Sequence, residues 1–103
     1  EVENDAKGVN LCTSFGRIDT DGTILGNYNI ASVGHTSTGI YDITFTTPMN
    51  NTNYSVVAMC NGSGDMGTTC GYNMTTAGFT IELMDSNNQL IDKPFSFQVF
   101  GGL

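Results

Sequence analysis

Tryptophan is absent from the 103 residues, histidine occurs once, proline twice, and lysine plus arginine number three. Each scarcity excludes something. Three bases against ten acids leave a formal net charge of −7. No basic patch can then neutralise a phosphate backbone, so nucleic-acid binding is excluded, and an anionic membrane surface is disfavoured for the same reason. No apolar run nears the ~18 residues of a membrane span, and no signal-peptide pattern is present, so no membrane insertion is expected. Position 1 is Glu rather than Met, which leads us to expect a processed or excised piece of a longer chain. Charged residues make up only 13% of the sequence, against ~25% in ordinary globular proteins. The surface must therefore draw its polarity from Asn, Thr and Ser. That composition suits an all-β extracellular or virion module.

The usual chemistry-bearing patterns are missing too. Cys12, Cys60 and Cys70 have no zinc-like spacing. Their odd number leaves at least one thiol unpaired. Cys60 and Cys70 flank one loop and could face each other across a hairpin; the simpler reading is three reduced, small core residues. Asp19-Thr20-Asp21-Gly22 opens like a calcium loop, but further acidic ligands and a distal Glu are lacking, so it reads as a turn. No metal and no cofactor are expected. His35 sits beside Thr36 and Ser37 in what reads as a solvated turn, and nothing singles out a nucleophile or an orienting acid for it. Carboxylate pairs for glycoside cleavage could be assembled from Asp19, Asp21, Asp42, Asp65 or Glu82, as in any acidic chain. The expectation is a protein that is not an enzyme. Four Asn-x-Ser/Thr sequons, at Asn50, Asn53, Asn61 and Asn73, would be glycan sites only in a secreted eukaryotic protein.

What the chain does contain is period-two alternation. Tyr41, Ile43 and Phe45 alternate with Asp42, Thr44 and Thr46. Phe79, Ile81 and Leu83 alternate with Thr80, Glu82 and Met84, and Phe95, Phe97 and Val99 with Ser96, Gln98 and Phe100. Further strands are read at Leu11 to Ile18, Tyr28 to Val33, Tyr54 to Cys60 and Cys70 to Thr75, with a short one at Leu90-Ile91. Ser37 to Gly39, Pro48 to Asn53, Thr76 to Gly78 and Asp85 to Asn88 carry turn chemistry, and Asn61 to Thr69 reads as a flexible surface loop. No segment keeps a 3.6-residue pattern. About seven to eight short strands predict a single antiparallel β-sandwich over residues 9 to 103, with Glu1 to Gly8 as a linker or the end of a preceding stem. The expected core is Phe15, Ile30, Tyr41, Ile43, Phe45, Tyr54, Val56, Phe79, Ile81, Leu83, Phe97 and Val99.

The run Tyr28-Asn-Ile-Ala-Ser-Val, then Thr38-Gly-Ile-Tyr-Asp-Ile-Thr-Phe-Thr-Thr-Pro-Met, then Asn53-Tyr-Ser-Val-Val resembles a C-terminal domain of tail-fibre and related structural proteins of tailed bacteriophages. Phe97-Gln-Val-Phe-Gly is similar to the way such chains end. The resemblance covers about residues 9 to 101, most specifically Gly39 to Met49. The family's opening strand is of the type Ala-Trp-Val-Asn-Phe; here it is Asn10-Leu-Cys-Thr-Ser-Phe, so packing around the first strand is expected to differ. The resemblance implies a virion location, on a tail fibre or other surface appendage, a homotrimer, and adhesion to a host-surface receptor with a glycan as the expected class. It lends no catalytic residue. A purely structural decoration or trimerisation domain, and a secreted carbohydrate-binding module, are the alternatives. Val57 and Met59 give Tyr54 to Cys60 a second apolar face, a surplus that suits a subunit interface.

Simple alternation of strand direction predicts where the receptor binds. It places Thr36 to Gly39, Gly62 to Thr69 and Ser86 to Gln89 at the end holding the N-terminus. The opposite end then carries Asp19 to Asn27, Pro48 to Asn53 and Thr76 to Gly78. Asp19, Asp21, Asn50, Asn51 and Asn53 become the favoured receptor contacts, and Asp65, Met66 and Thr68 the second set.

Overall fold

A computed structural model of the chain describes residues 11–103; the expected linker at Glu1 to Gly8 lies outside the described residues. Eight strands follow in order: β1 (Cys12–Ile18), β2 (Ile24–Tyr28), β3 (Ser32–Ser37), β4 (Ile40–Thr44), β5 (Ser55–Cys60), β6 (Thr68–Tyr72), β7 (Gly78–Met84) and β8 (Phe95–Phe100). They form two four-stranded sheets, β2-β1-β8-β5 and β3-β4-β7-β6, with every pairing antiparallel. The all-β sandwich expected from the alternation is thus the observed fold.

The alternation works as a physical sorting device. Phe79, Ile81 and Leu83 of β7, Tyr41 and Ile43 of β4, and Phe95, Phe97 and Val99 of β8 all turn into the space between the sheets. Their rings meet edge-on, Tyr41 to Phe95 at 4.8 Å and Phe79 to Phe97 at 5.2 Å between centroids, the arrangement that the aromatic quadrupole favours. Ile18, Ile30, Phe45, Met49 and Tyr54 complete the core, and Val56 packs at its margin.

The first strand is reversed relative to expectation. Phe15 is 44% exposed, whereas Ser14, Gly16 and Ile18 face inward. Gly16 explains the choice: a Cβ there would lie 2.8 Å from the Phe97 ring, so that ring rests directly on the β1 backbone. The fully buried Ser14 hydroxyl is satisfied by donating to the Tyr28 carbonyl at 3.0 Å.

The second strand is two strands. β2 pairs with β1 in one sheet and β3 with β4 in the other. The chain changes sheets at Asn29, whose φ of 60° is one that asparagine tolerates better than most side chains. Its Oδ1 accepts from the Thr47 N–H at 2.7 Å, and its Nδ2 donates to the Thr13 and Thr47 carbonyls at 3.2 and 3.1 Å.

Smaller corrections follow. β6 begins at Thr68, within the expected loop, and ends where Asn73 takes a φ of 58°. Leu90 and Ile91 form a bridge to Met84 and a hydrogen bond to the Leu83 carbonyl rather than a strand. Cys12, Cys60 and Cys70 are free. Cys60 and Cys70 belong to different sheets, so no hairpin joins them. Burial, and then the charge of Glu82 opposite it, pushes the Cys70 thiol upward in pKa.

Candidate functional site

The additional strand decides which loops share an end. β1 runs away from Leu11 and turns at Asp19 to Thr23; β2 returns, and β3 sets out again in the other sheet. The end at which β1 starts and β8 finishes, here the near end, therefore gathers Asn29 to Ala31, Phe45 to Tyr54, Asn73 to Ala77 and Gly101 to Leu103. Hydrogen bonds stitch these segments together: Phe45 N–H to Ala77, Met49 N–H to Thr76 and Asn50 N–H to Gly102. The far end gathers Asp19 to Thr23, Thr38-Gly39, Asn61 to Gly67 and Asp85 to Pro94.

This sorting overturns half of the placement expected from parity. Asp19 and Asp21 do lie at the far end. Asn50, Asn51 and Asn53 do not: they stand at the near end, where Asn51 accepts from the Asn53 N–H at 2.9 Å and donates to the Leu103 carbonyl at 3.1 Å. Asp65, Met66 and Thr68 join Asp19 and Asp21 instead. Asp65 and Thr68 are exposed, while Met66 packs against the core.

The far end is acidic and braced. Asp19, Asp21, Asp65, Asp85 and Asp92 lie here, leaving Asp42 and Glu82 as the only described acids elsewhere. Most of these carboxylates tie their own loops. Asp21 accepts from the Thr23 N–H at 2.9 Å, and its bonds to Thr23 lower its pKa. Asp85 accepts from the Asn87 and Gln89 N–H groups at 2.8 and 2.9 Å. Asp92 gathers three donors on Oδ1: the Gly39 N–H at 2.7 Å, His35 Nε2 at 2.8 Å and, at 3.4 Å, the Tyr41 hydroxyl. Partial burial acts to raise the Asp92 carboxyl, but the Gly39 N–H, His35 and Tyr41 outweigh it and hold the group below its ordinary value.

His35, expected in a solvated turn, is instead in β3 and half-buried. Its ring stacks on Tyr41 with centroids 4.4 Å apart and planes 4° from parallel. The Tyr41 hydroxyl donates to the Thr20 carbonyl at 2.6 Å, bolting the Asp19 turn to a core residue. Burial, then Asp92, pushes that phenol well above its ordinary pKa. Asp92 is the side-chain partner of His35, and among the described residues no hydroxyl or thiol is hydrogen-bonded to its ring. Among the described residues no group of three or more His, Cys, Asp or Glu side chains could hold a metal ion. What the far end offers is a rigid array of carboxylate and carbonyl acceptors, suited to ligands that donate hydrogen bonds.

Two other surfaces stand out. At the near end, Leu11, Tyr28, Asn29, Pro48, Asn50 and Leu103 border an open cleft of about 580 Å³. On the outer face of the β2-β1-β8-β5 sheet, Val57 and Met59 are 57% and 63% exposed, and Phe15 stacks on Tyr28 with centroids 5.9 Å apart. This apolar face was signalled by the two-sided pattern of Tyr54 to Cys60. The His35–Asp92–Tyr41 brace was not signalled, because its members are separated by up to 57 residues.

No protein-family model matches the chain, and no curated protein sequence matches it. Among solved structures, the chain is similar in fold to the phiAB6 tailspike, determined in complex with three-repeated oligosaccharides of Acinetobacter baumannii surface polysaccharide. The TM-score is 0.59 at 19% sequence identity, over 84% of this chain. The chain matches 19% of the tailspike's length. At that identity the likeness is one of fold.

Proposed function

We propose that this chain is a domain of a tailed-phage surface appendage that adheres to a host-surface glycan without catalysis. The observation that carries the reading is the shared fold with a tailspike that was solved holding an oligosaccharide. The braced far end supports it. Leu11, the first described residue, lies at the near end, so the loops holding Asp19, Asp21 and Asp65, and Thr68 at the start of β6, lie at the opposite end from it. Loops held by a rigid sandwich are natural binding elements, and their free carboxylate and carbonyl oxygens match sugar hydroxyls. Each contact would be weak, and many copies on one particle would supply avidity. The domain acts as a homotrimer in this reading, with the apolar face around Phe15, Val57 and Met59 at the subunit contact.

Competition tests the proposal. The purified chain, added in excess, should reduce adsorption of the phage that carries it. Unchanged adsorption, with the chain folded, would favour the second reading, a structural or trimerisation domain, for which the exposed Val57 and Met59 are the specific observation.

A further inference from the structure

The outer face of the β3-β4-β7-β6 sheet is more polar than the other sheet's outer face near Val57 and Met59: Asp42, Thr80 and Glu82 share it with Ile40 and Met84. Strand register sets Gly34, Asp42, Thr80 and Tyr72 side by side in one row across all four strands. Gly34, beside Asp42, carries no side chain, and Gly78 packs closely on the Ile43 backbone of β4. Asp42, Thr44, Asn73, Thr75 and Thr80 border a depression of about 170 Å³. Beside Thr80, its register partner Tyr72 is 43% exposed, while Thr80 itself is only 6% exposed. The Thr80 hydroxyl donates to Asp42 Oδ1 at 2.9 Å and fixes that carboxylate. The second oxygen of Asp42 has no protein donor among the described residues. The described bases are elsewhere: Arg17 is on the other sheet, and Lys93 donates to the Ser63 carbonyl at 2.6 Å.

We infer that this face is a saccharide-binding site, taking a neutral oligosaccharide whose hydroxyls donate to Asp42 and whose ring lies against Tyr72. The inference rests on the glycan-adhesion reading and names its ligand class and subsite. A fixed carboxylate without a cation calls for neutral donors, which vicinal hydroxyls supply. Glu82, in the next row of the same face, adds a second negative charge, and with a net charge of −7 the domain repels uronic and sialic acids. Tyr72 gives an amphipathic flat surface that is already ordered by its strand. From Tyr72 the outward positions of β6 continue through Cys70 to Thr68, roughly 13 Å at about 3.3 Å per residue. That is longer than one sugar ring, and from Thr68 it joins the face to the far-end loop of Asp65.

The test is binding of the purified chain to an array of neutral and acidic bacterial-surface oligosaccharides, compared with Tyr72→Ala, Asp42→Asn and, as control, Asn27→Ala on β2. The inference expects wild-type binding confined to neutral oligosaccharides, a loss of at least tenfold in the Tyr72 and Asp42 variants, and none in the control. Wild-type binding that both variants retain would overturn this site and leave the adhesion reading standing. Binding confined to acidic oligosaccharides would overturn the ligand class. A folded wild type that binds nothing on the array would overturn the adhesion reading and the inference with it. Should a variant unfold, NMR titration of the wild type decides: the Tyr72 ring resonances must shift with a bound neutral oligosaccharide, and shifts confined to Tyr28 would refute the assignment.

Discussion

Replacing Asn29 by alanine should cost about 3 kcal/mol of stability, of which about 2 is hydrogen bonding and about 1 is backbone strain. The side chain makes three hydrogen bonds, to the Thr47 N–H and to the Thr13 and Thr47 carbonyls. A typical bond is worth ~0.5–1.5 kcal/mol net, and the two to Thr47 are exposed, which sets the sum near the low end. Alanine at a φ of 60° then adds the left-handed penalty that asparagine largely escapes. For a domain of this size, about 3 kcal/mol lowers Tm by about 12–20 °C. Asn29→Gly keeps the same backbone without strain and should lose only about 2 kcal/mol. Urea unfolding followed by circular dichroism, with a common slope for all three proteins, measures both variants. Equal losses in the two variants would remove the backbone argument. A loss below about 0.5 kcal/mol in alanine would show that the corner between the sheets is not held by this side chain.

Other outcomes follow from the same geometry. The folded pKa of Asp92 lies below its unfolded value, so its contribution is present above about pH 4 and fades as pH falls through the folded pKa; urea midpoints should drop between pH 5 and 2, and less steeply in Asp92→Asn. Gly78→Ala places a Cβ against the Ile43 carbonyl of the neighbouring strand, a collision with backbone, and should cost about 3 kcal/mol or abolish folding. Light scattering at micromolar concentration should report a homotrimer, and Val57→Glu with Met59→Glu should leave monomers of undiminished Tm; a monomeric state within the complete appendage would refute the trimer. Thermal melts with and without a chelator should coincide, and a fall of many degrees would mean that the Asp19 to Gly22 turn binds calcium.

Strand existence was legible wherever one face of a strand is apolar and the other polar, as in Tyr41 to Phe45 and Phe79 to Leu83. Ten of the twelve expected core residues are buried, and the two others, Phe15 and Val56, show why the rest was harder. In β1 the inward positions are Ser14, Gly16 and Ile18, and Gly16 is small because the Phe97 ring of the next strand occupies its space. A side chain's size there is set by a partner 81 residues away, which local periodicity cannot report. The break at Asn29 was hidden for a related reason: Tyr28, Ile30 and Val33 look continuous, and only the backbone angle separates them. That single misreading shifted the parity of later loops and moved Asn50, Asn51 and Asn53 to the wrong end. The acidic turns at Asp19 and Asp85 were readable because their bonds are local. The Asp42–Thr80 row needed the register of four strands.

The position of β1 between β2 and β8 has a mechanical consequence. If the domain adheres as proposed, a pull applied between the far end and Leu11 runs along the strand axis. The ladder bonds on both sides of β1 lie across that axis, so the load is shared by the two ladders together, in shear. They cannot open one by one like a zipper. The bulge between Arg17 and Ile18 and the register shift between Cys12 and Ser14 mark the two places where the sharing is interrupted. Under a pull applied at Leu11, the first slip is therefore expected at Cys12, with the Ser14 to Arg17 segment giving way as a block.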